Sequence, residues 1–161
     1  IMPSPPAIDF QPLCAFLATQ DEVVAAYLFG SVAQGRAHPG SDVDLALLLS
    51  ANLDPDLRAD RYLYLMGEIQ HLLRGHKVDV VLLNTASPLL QYEVLRHGQR
   101  LYEADRQARV DFEVRAGQRY EDVRPMYAFY YQDIVQRIKE KGLNGRRRRA
   151  PATSGKTDPR D

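Results

Sequence analysis

The sequence predicts an α/β fold, with helices packed on a mixed central sheet and further helices following it. Three observations carry this. Apolar runs of strand length occur at 23–29, 43–49 and 77–83. Segments with apolar residues at helical spacing lie between and after them. Cap, proline and glycine signals bracket those segments.

In chain order, "FQPLCAFLATQ" (10–20) reads as a short first helix and "VVAAYLF" as the first strand. A polar loop then leads to a second strand, "VDLALLL". Asp54-Pro55 places an N-cap before a proline at the first helical position. Tyr62, Leu65, Met66, Ile69, Leu72 and Leu73 follow on one helical face, and Gly75 is the stop signal. "KVDVVLL" is the third strand. Ser87-Pro88 opens another helix, with Leu90, Val94 and Leu95 on one face and Gly98 at its end. "RLYEAD" adds a short edge strand, and the stretch 105–141 is mostly helical, with Gly117 and Pro125 as interruptions. The expected organisation is a core at 1–104, a helical extension at 105–143 and a basic, poorly ordered tail at 144–161.

With 161 residues, the chain is long enough to bury a real core. No apolar run approaches the roughly 18 residues of a membrane span. The first ten residues, "IMPSPPAIDF", lack the basic and apolar regions of a signal peptide. Cys14 is the single cysteine, which excludes an internal disulfide and a cysteine zinc site, so a reducing cytoplasm is the expected compartment. The formal charge of zero divides unevenly, as −6 over residues 1–136 and +6 over 137–161. The four arginines at 146–149 could touch nucleic acid or an acidic partner, but a solvated charge run is the simpler reading.

The chemistry is concentrated in "LFGSVAQGRAHPGSDVDLALLL". Asp42 and Asp44 are two residues apart at the mouth of an apolar strand, so they share a face and repel each other unless a cation sits between them. If the first two strands run antiparallel, Gly30-Ser31 and the Asp pair meet at one sheet edge. Glycine there admits a phosphate close to the backbone, and Ser31 offers an N–H and a hydroxyl. Carboxylates are hard oxygen ligands suited to Mg²⁺. Asp79 interrupts the third strand in the same way. A third carboxylate there would complete a pocket for two metal ions, which clamp the attacking and leaving oxygens of a phosphoryl displacement.

Gly30-Ser31, ten residues, then Asp42-Val43-Asp44 resembles the signature of the minimal nucleotidyltransferases, the smallest members of the DNA polymerase beta-like superfamily. Gly35, Ser41, the apolar run after Asp44, and Asp79 fit the same group. The resemblance implies the polymerase beta-like nucleotidyltransferase fold and the antitoxin role of many stand-alone members, which are encoded beside a HEPN-domain ribonuclease toxin. It implies transfer of AMP from ATP to a hydroxyl, typically a toxin tyrosine, within an oligomeric complex. Asp42 and Asp44 would bind Mg²⁺, and Asp79 would complete the metal site or accept the hydroxyl proton. Gly30 and Ser31 would hold the β- and γ-phosphates. Relatives often carry a basic residue where this chain has Gln34, and Arg36 stands as its substitute for nucleotide binding. Two other readings are a non-catalytic antitoxin acting by occlusion and an aminoglycoside-type nucleotidyltransferase. The short C-terminal extension leaves little room for the substrate domain of the latter. His38, His71, His76 and His97 show no metal spacing. Tyr127, Tyr130 and Tyr131 serve helix packing by default and partner docking as the sharper alternative.

Overall fold

The computed structural model describes residues 7–141; the expectations for the first six residues and for the basic tail lie outside them. The elements are α1 (Gln11–Leu17), β1 (Val23–Phe29), α2 (Gly30–Ala33), β2 (Val43–Leu49), α3 (Pro55–Leu72), β3 (Val78–Leu82), a 3-10 turn (Leu83–Thr85), α4 (Pro88–His97), β4 (Gln99–Glu103) and α5 (Arg106–Lys141). The four strands form one sheet in the order β3-β2-β1-β4. β1 pairs antiparallel with β2 and with β4, while β2 pairs parallel with β3 through the α3 crossover. The sheet is therefore mixed, as the strand pattern predicts.

Alternation along the strands sorts the core into two layers. Val43, Leu45, Leu47 and Leu49 of β2 join Ala26 and Leu28 of β1, and Leu13, Leu17, Leu65 and Ile69 of α1 and α3 cover them. On the other face, Ala46 and Leu48 meet Tyr27, and Leu83, Val94, Phe112 and Ala116 cover those. A bulge between Val23 and Ala25 turns Val24 and Ala25 to this second face together. From Leu45 to Leu49 β2 is buried on both sides, which is why that stretch reads as an unbroken apolar run. Asn84 closes its far end, donating to the Leu49 carbonyl at 2.8 Å and accepting from the Leu49 N–H at 2.9 Å.

The predicted caps form. Asp54 accepts from the N–H groups of Asp56 and Leu57 at 3.0 and 3.3 Å, and Ser87 accepts from that of Leu90 at 3.2 Å. Gly75 follows α3 with φ +98°, a left-handed stop that glycine adopts without strain. Gly98 ends α4 differently, in extended backbone. A Cβ there would lie 2.4 Å from the Val94 carbonyl oxygen and 3.1 Å from that of Leu28, so the glycine serves close approach to β1.

The C-terminal stretch departs from expectation. α5 is one helical element through both Gly117 and Pro125, neither of which interrupts it. Glycine and proline are per-residue penalties, and strong helix formers on both sides (Arg115, Ala116, Arg119, Met126, Ala128) outweigh them here. The packed core continues beyond residue 104, because Phe112 and Ala116 belong to it. The described residues fall into two units that divide between Val123 and Arg124. Within the first, buried Arg109 pairs with Glu103 and reaches Glu113 at 2.7 Å, while the Tyr27 hydroxyl donates to Glu113 at 3.1 Å. Burial, then the Glu113 charge, drive the Tyr27 phenol far above its ordinary range. In the described part of the second unit, Met126, Phe129, Tyr130 and Tyr131 are exposed along the helix.

Candidate active site

Sheet register assembles the carboxylates. Antiparallel pairing sets Phe29 opposite Asp44, and parallel pairing sets Asp44 opposite Asp79. Asp44, Asp79 and the residue before β2, Asp42, therefore lie at one end of the sheet. Alternation gives Asp44 and Asp79 the same face as Ala46 and Val81. Gly30-Ser31 follows Phe29 directly, so the serine loop and the Asp pair share that edge, as the spacing predicts.

Gly30 belongs to this cluster for a specific reason. Its φ is +72°, and a Cβ built on it would lie 2.1 Å from Asp44 Oδ2. The space a side chain would fill is taken by the Asp44 carboxylate. Glycine at position 30 is thus required twice, by backbone and by neighbour. The expectation that this space admits a phosphate is thereby modified, since the carboxylate lies against the glycine first. The short helix α2 begins here and turns back. Gln34 donates its N–H to the Gly30 carbonyl at 3.2 Å, and Arg36 donates its N–H to the Ser31 carbonyl at 2.9 Å. Ser41 closes the loop before Asp42, its hydroxyl accepting from the His38 N–H at 2.7 Å. Arg36 is exposed, and its guanidinium donates to the Gln34 side-chain oxygen.

The electrostatics are those of crowded negative charge. Asp44 titrates above the ordinary carboxylate range, first because it is partly buried, then because Asp79 and Asp42 repel its charge; Lys77 opposes the shift. Tyr62 of α3 feels the same field. Burial and the Asp79 charge raise its phenol, whose hydroxyl donates to the Val80 carbonyl at 2.5 Å. Tyr62 also lines a groove of about 460 Å³ with Pro55, Ala59, Val81, Leu82 and Leu90.

The cation demanded by the Asp pair is present in the chain itself. Lys77 Nζ lies 2.9 Å from Asp42 Oδ2. Sequence reasoning missed this partner, having read Lys77 only as the start of a strand. The available signal was the parallel register, which sets the residue before Val78 level with the residue before Val43. Among the described residues no three His, Cys, Asp or Glu side chains converge to hold one ion, and the Asp42 carboxylate is paired with Lys77. The donor chemistry nonetheless fits a hard divalent cation. Asp42, Asp44 and Asp79 offer only carboxylate oxygens, and their mutual repulsion is what such a cation relieves.

Comparison with known proteins gives matches in sequence and in fold. The family model described as Polymerase beta, Nucleotidyltransferase matches residues 11–107. The curated Protein adenylyltransferase MntA of Shewanella oneidensis is 36% identical over 76 residues, covering 47% of this chain and 51% of that protein. The chain thus spans about half the length of that curated relative. A crystal structure of a mutant form of the toxin-antitoxin MntA-HpeT superposes with TM-score 0.63 at 25% identity, covering 80% of this chain and 99% of that one. A structure of the toxin-antitoxin with AMP-PNP gives 0.59 at 26%, covering 77% and 95%.

Proposed function

The chain belongs to the polymerase beta nucleotidyltransferase family, and we propose that it is an antitoxin that transfers AMP from ATP to a tyrosine hydroxyl of a cognate HEPN-domain ribonuclease toxin. The observation that carries the reading is the meeting of Gly30, Asp42, Asp44 and Asp79 at one sheet edge, set by register and by the fit of the Asp44 carboxylate against Gly30. Its relatives support the nucleotide and the partner: one is named a protein adenylyltransferase, and a toxin-antitoxin neighbour was solved with AMP-PNP.

In this reading the tyrosine oxygen attacks the α-phosphorus of ATP, forming a P–O bond as the bond to the pyrophosphate oxygen breaks. Pyrophosphate leaves, and the hydroxyl proton passes to the Asp79 carboxylate. Asp42 and Asp44, with Asp79, would hold Mg²⁺, two ions in this reading, which would supply charge neutralisation on the triphosphate. The N–H groups of the first turn of α2, with the Ser31 hydroxyl, would receive the β- and γ-phosphates. Arg36, on the same loop, would add a positive charge for the bound nucleotide. Catalysis is then positioning and electrostatics.

The test is label transfer. The chain is incubated with Mg²⁺, the toxin and ATP labelled at either the α- or the γ-phosphate. Label on the toxin from α-labelled ATP alone, lost in Asp42→Asn, is the expected result. No label, with stable co-purification and neutralised toxin, would favour occlusion without chemistry.

A further inference from the structure

We propose that Lys77 is an exchangeable counter-cation of the carboxylate cluster, holding Asp42 until a divalent cation takes that carboxylate and displaces it. The inference rests on the reading that Asp42 and Asp44 hold metal. Lys77 is placed by the backbone: its carbonyl accepts the Val43 N–H at 2.8 Å, and Val78 pairs with Val43, so Lys77 and Asp42 lie level where the two strands begin. Its Nζ reaches Asp42 Oδ2 at 2.9 Å.

The two halves of the residue differ in freedom. The main chain is fixed in the β2–β3 ladder, while the side chain is 74% exposed. The ammonium can therefore swing into water without repacking anything. A divalent ion that takes Asp42 Oδ2 competes with the ammonium for the oxygen that Lys77 holds, and at that range the two positive charges repel. A lysine suits this exchange better than an arginine, since its single-point contact releases more readily than a bidentate fork. Asp44 and Asp79, level with each other in the same ladder, add negative charge at this end of the sheet, which favours an ammonium there when no metal is bound. Lys77 thus keeps the metal-free cluster tolerable and sets the threshold for metal entry.

The experiment is Mn²⁺ binding to the nucleotide-free protein, by calorimetry or by the spin signal of free Mn²⁺, at low ionic strength. Wild type, Lys77→Met, Lys77→Gln and Lys77→Arg are compared, with circular dichroism as the check on folding. The Met and Gln variants should bind Mn²⁺ about three- to ten-fold tighter than wild type, and the gain should shrink in about 0.5 M salt as exposed charges are screened. Lys77→Arg, which keeps the charge, should stay within about two-fold of wild type. Met and Gln variants that bind no tighter, while Asp42→Asn abolishes binding, would overturn the role of Lys77 and leave the metal site standing. Absence of Mn²⁺ binding by every form would overturn both.

Discussion

Gly30→Ala isolates the contact on which the site's geometry depends. The added Cβ would lie 2.1 Å from Asp44 Oδ2 and 3.0 Å from Asp44 Cγ. Ordinary contacts of a Cβ begin near 3.4 Å and those under 3.0 Å are essentially never seen, so the carboxylate must retreat by about 1 Å. A misplacement of about 1 Å at a reacting centre lowers the rate by roughly 100-fold. Separately, alanine at φ +72° costs about 1–2 kcal/mol in the left-handed region. Gly35→Ala is the matched control. It carries the same kind of backbone strain at φ +66°, yet its Cβ would meet nothing within 4 Å. Both variants should melt roughly 3–8 °C below wild type. Only Gly30→Ala should lose AMP transfer by about 100-fold in single-turnover assays. Equal activity in the two variants would refute the claim that Gly30 exists to seat Asp44.

Other consequences follow from the same structure. Asp44 titrates above the ordinary carboxylate range when metal-free, so the folded state holds its proton more tightly than the unfolded one and ionisation at neutral pH opposes folding. Asp44→Asn should therefore raise the melting temperature in EDTA at pH 7. That gain should fade as the pH falls towards about 4, where the wild-type carboxyl is protonated too. A gain unchanged between pH 7 and 4 would point to packing instead. Arg109 is 8% exposed between Glu103 and Glu113. Arg109→Met leaves Glu103 with Arg100 alone at 3.6 Å and Glu113 with the Tyr27 hydroxyl alone, and should lower stability by about 1–3 kcal/mol in urea denaturation. A loss under about 0.5 kcal/mol would place the pair among ordinary surface ion pairs.

The parts of the fold legible in the sequence are those fixed by local pattern. The apolar runs in β1 and in β2 after Asp44 mark their strands, since stretches buried on both faces must be apolar. Asp54-Pro55 and Ser87-Pro88 announce their helices because capping is a local hydrogen bond. Asp42, Asp44 and Asp79 stand out because carboxylates interrupt such runs. What stayed hidden depends on neighbours distant in sequence. Lys77 acquires a partner only through the parallel register, 35 residues from Asp42. Gly30 is explained by the Asp44 carboxylate, which no turn rule contains. Gly117 and Pro125 suggested breaks by their own propensities, and the helix formers flanking them prevailed.

The central claim, that the β2–β3 carboxylates perform AMP transfer to a partner, is tested most directly by the intact mass of the toxin after co-expression. With wild-type chain, the toxin should be heavier by one or more AMP residues, located by fragmentation on tyrosine. With the Asp42→Asn, Asp44→Asn double variant, it should carry none while the complex still forms. A toxin equally modified beside the double variant would contradict the account.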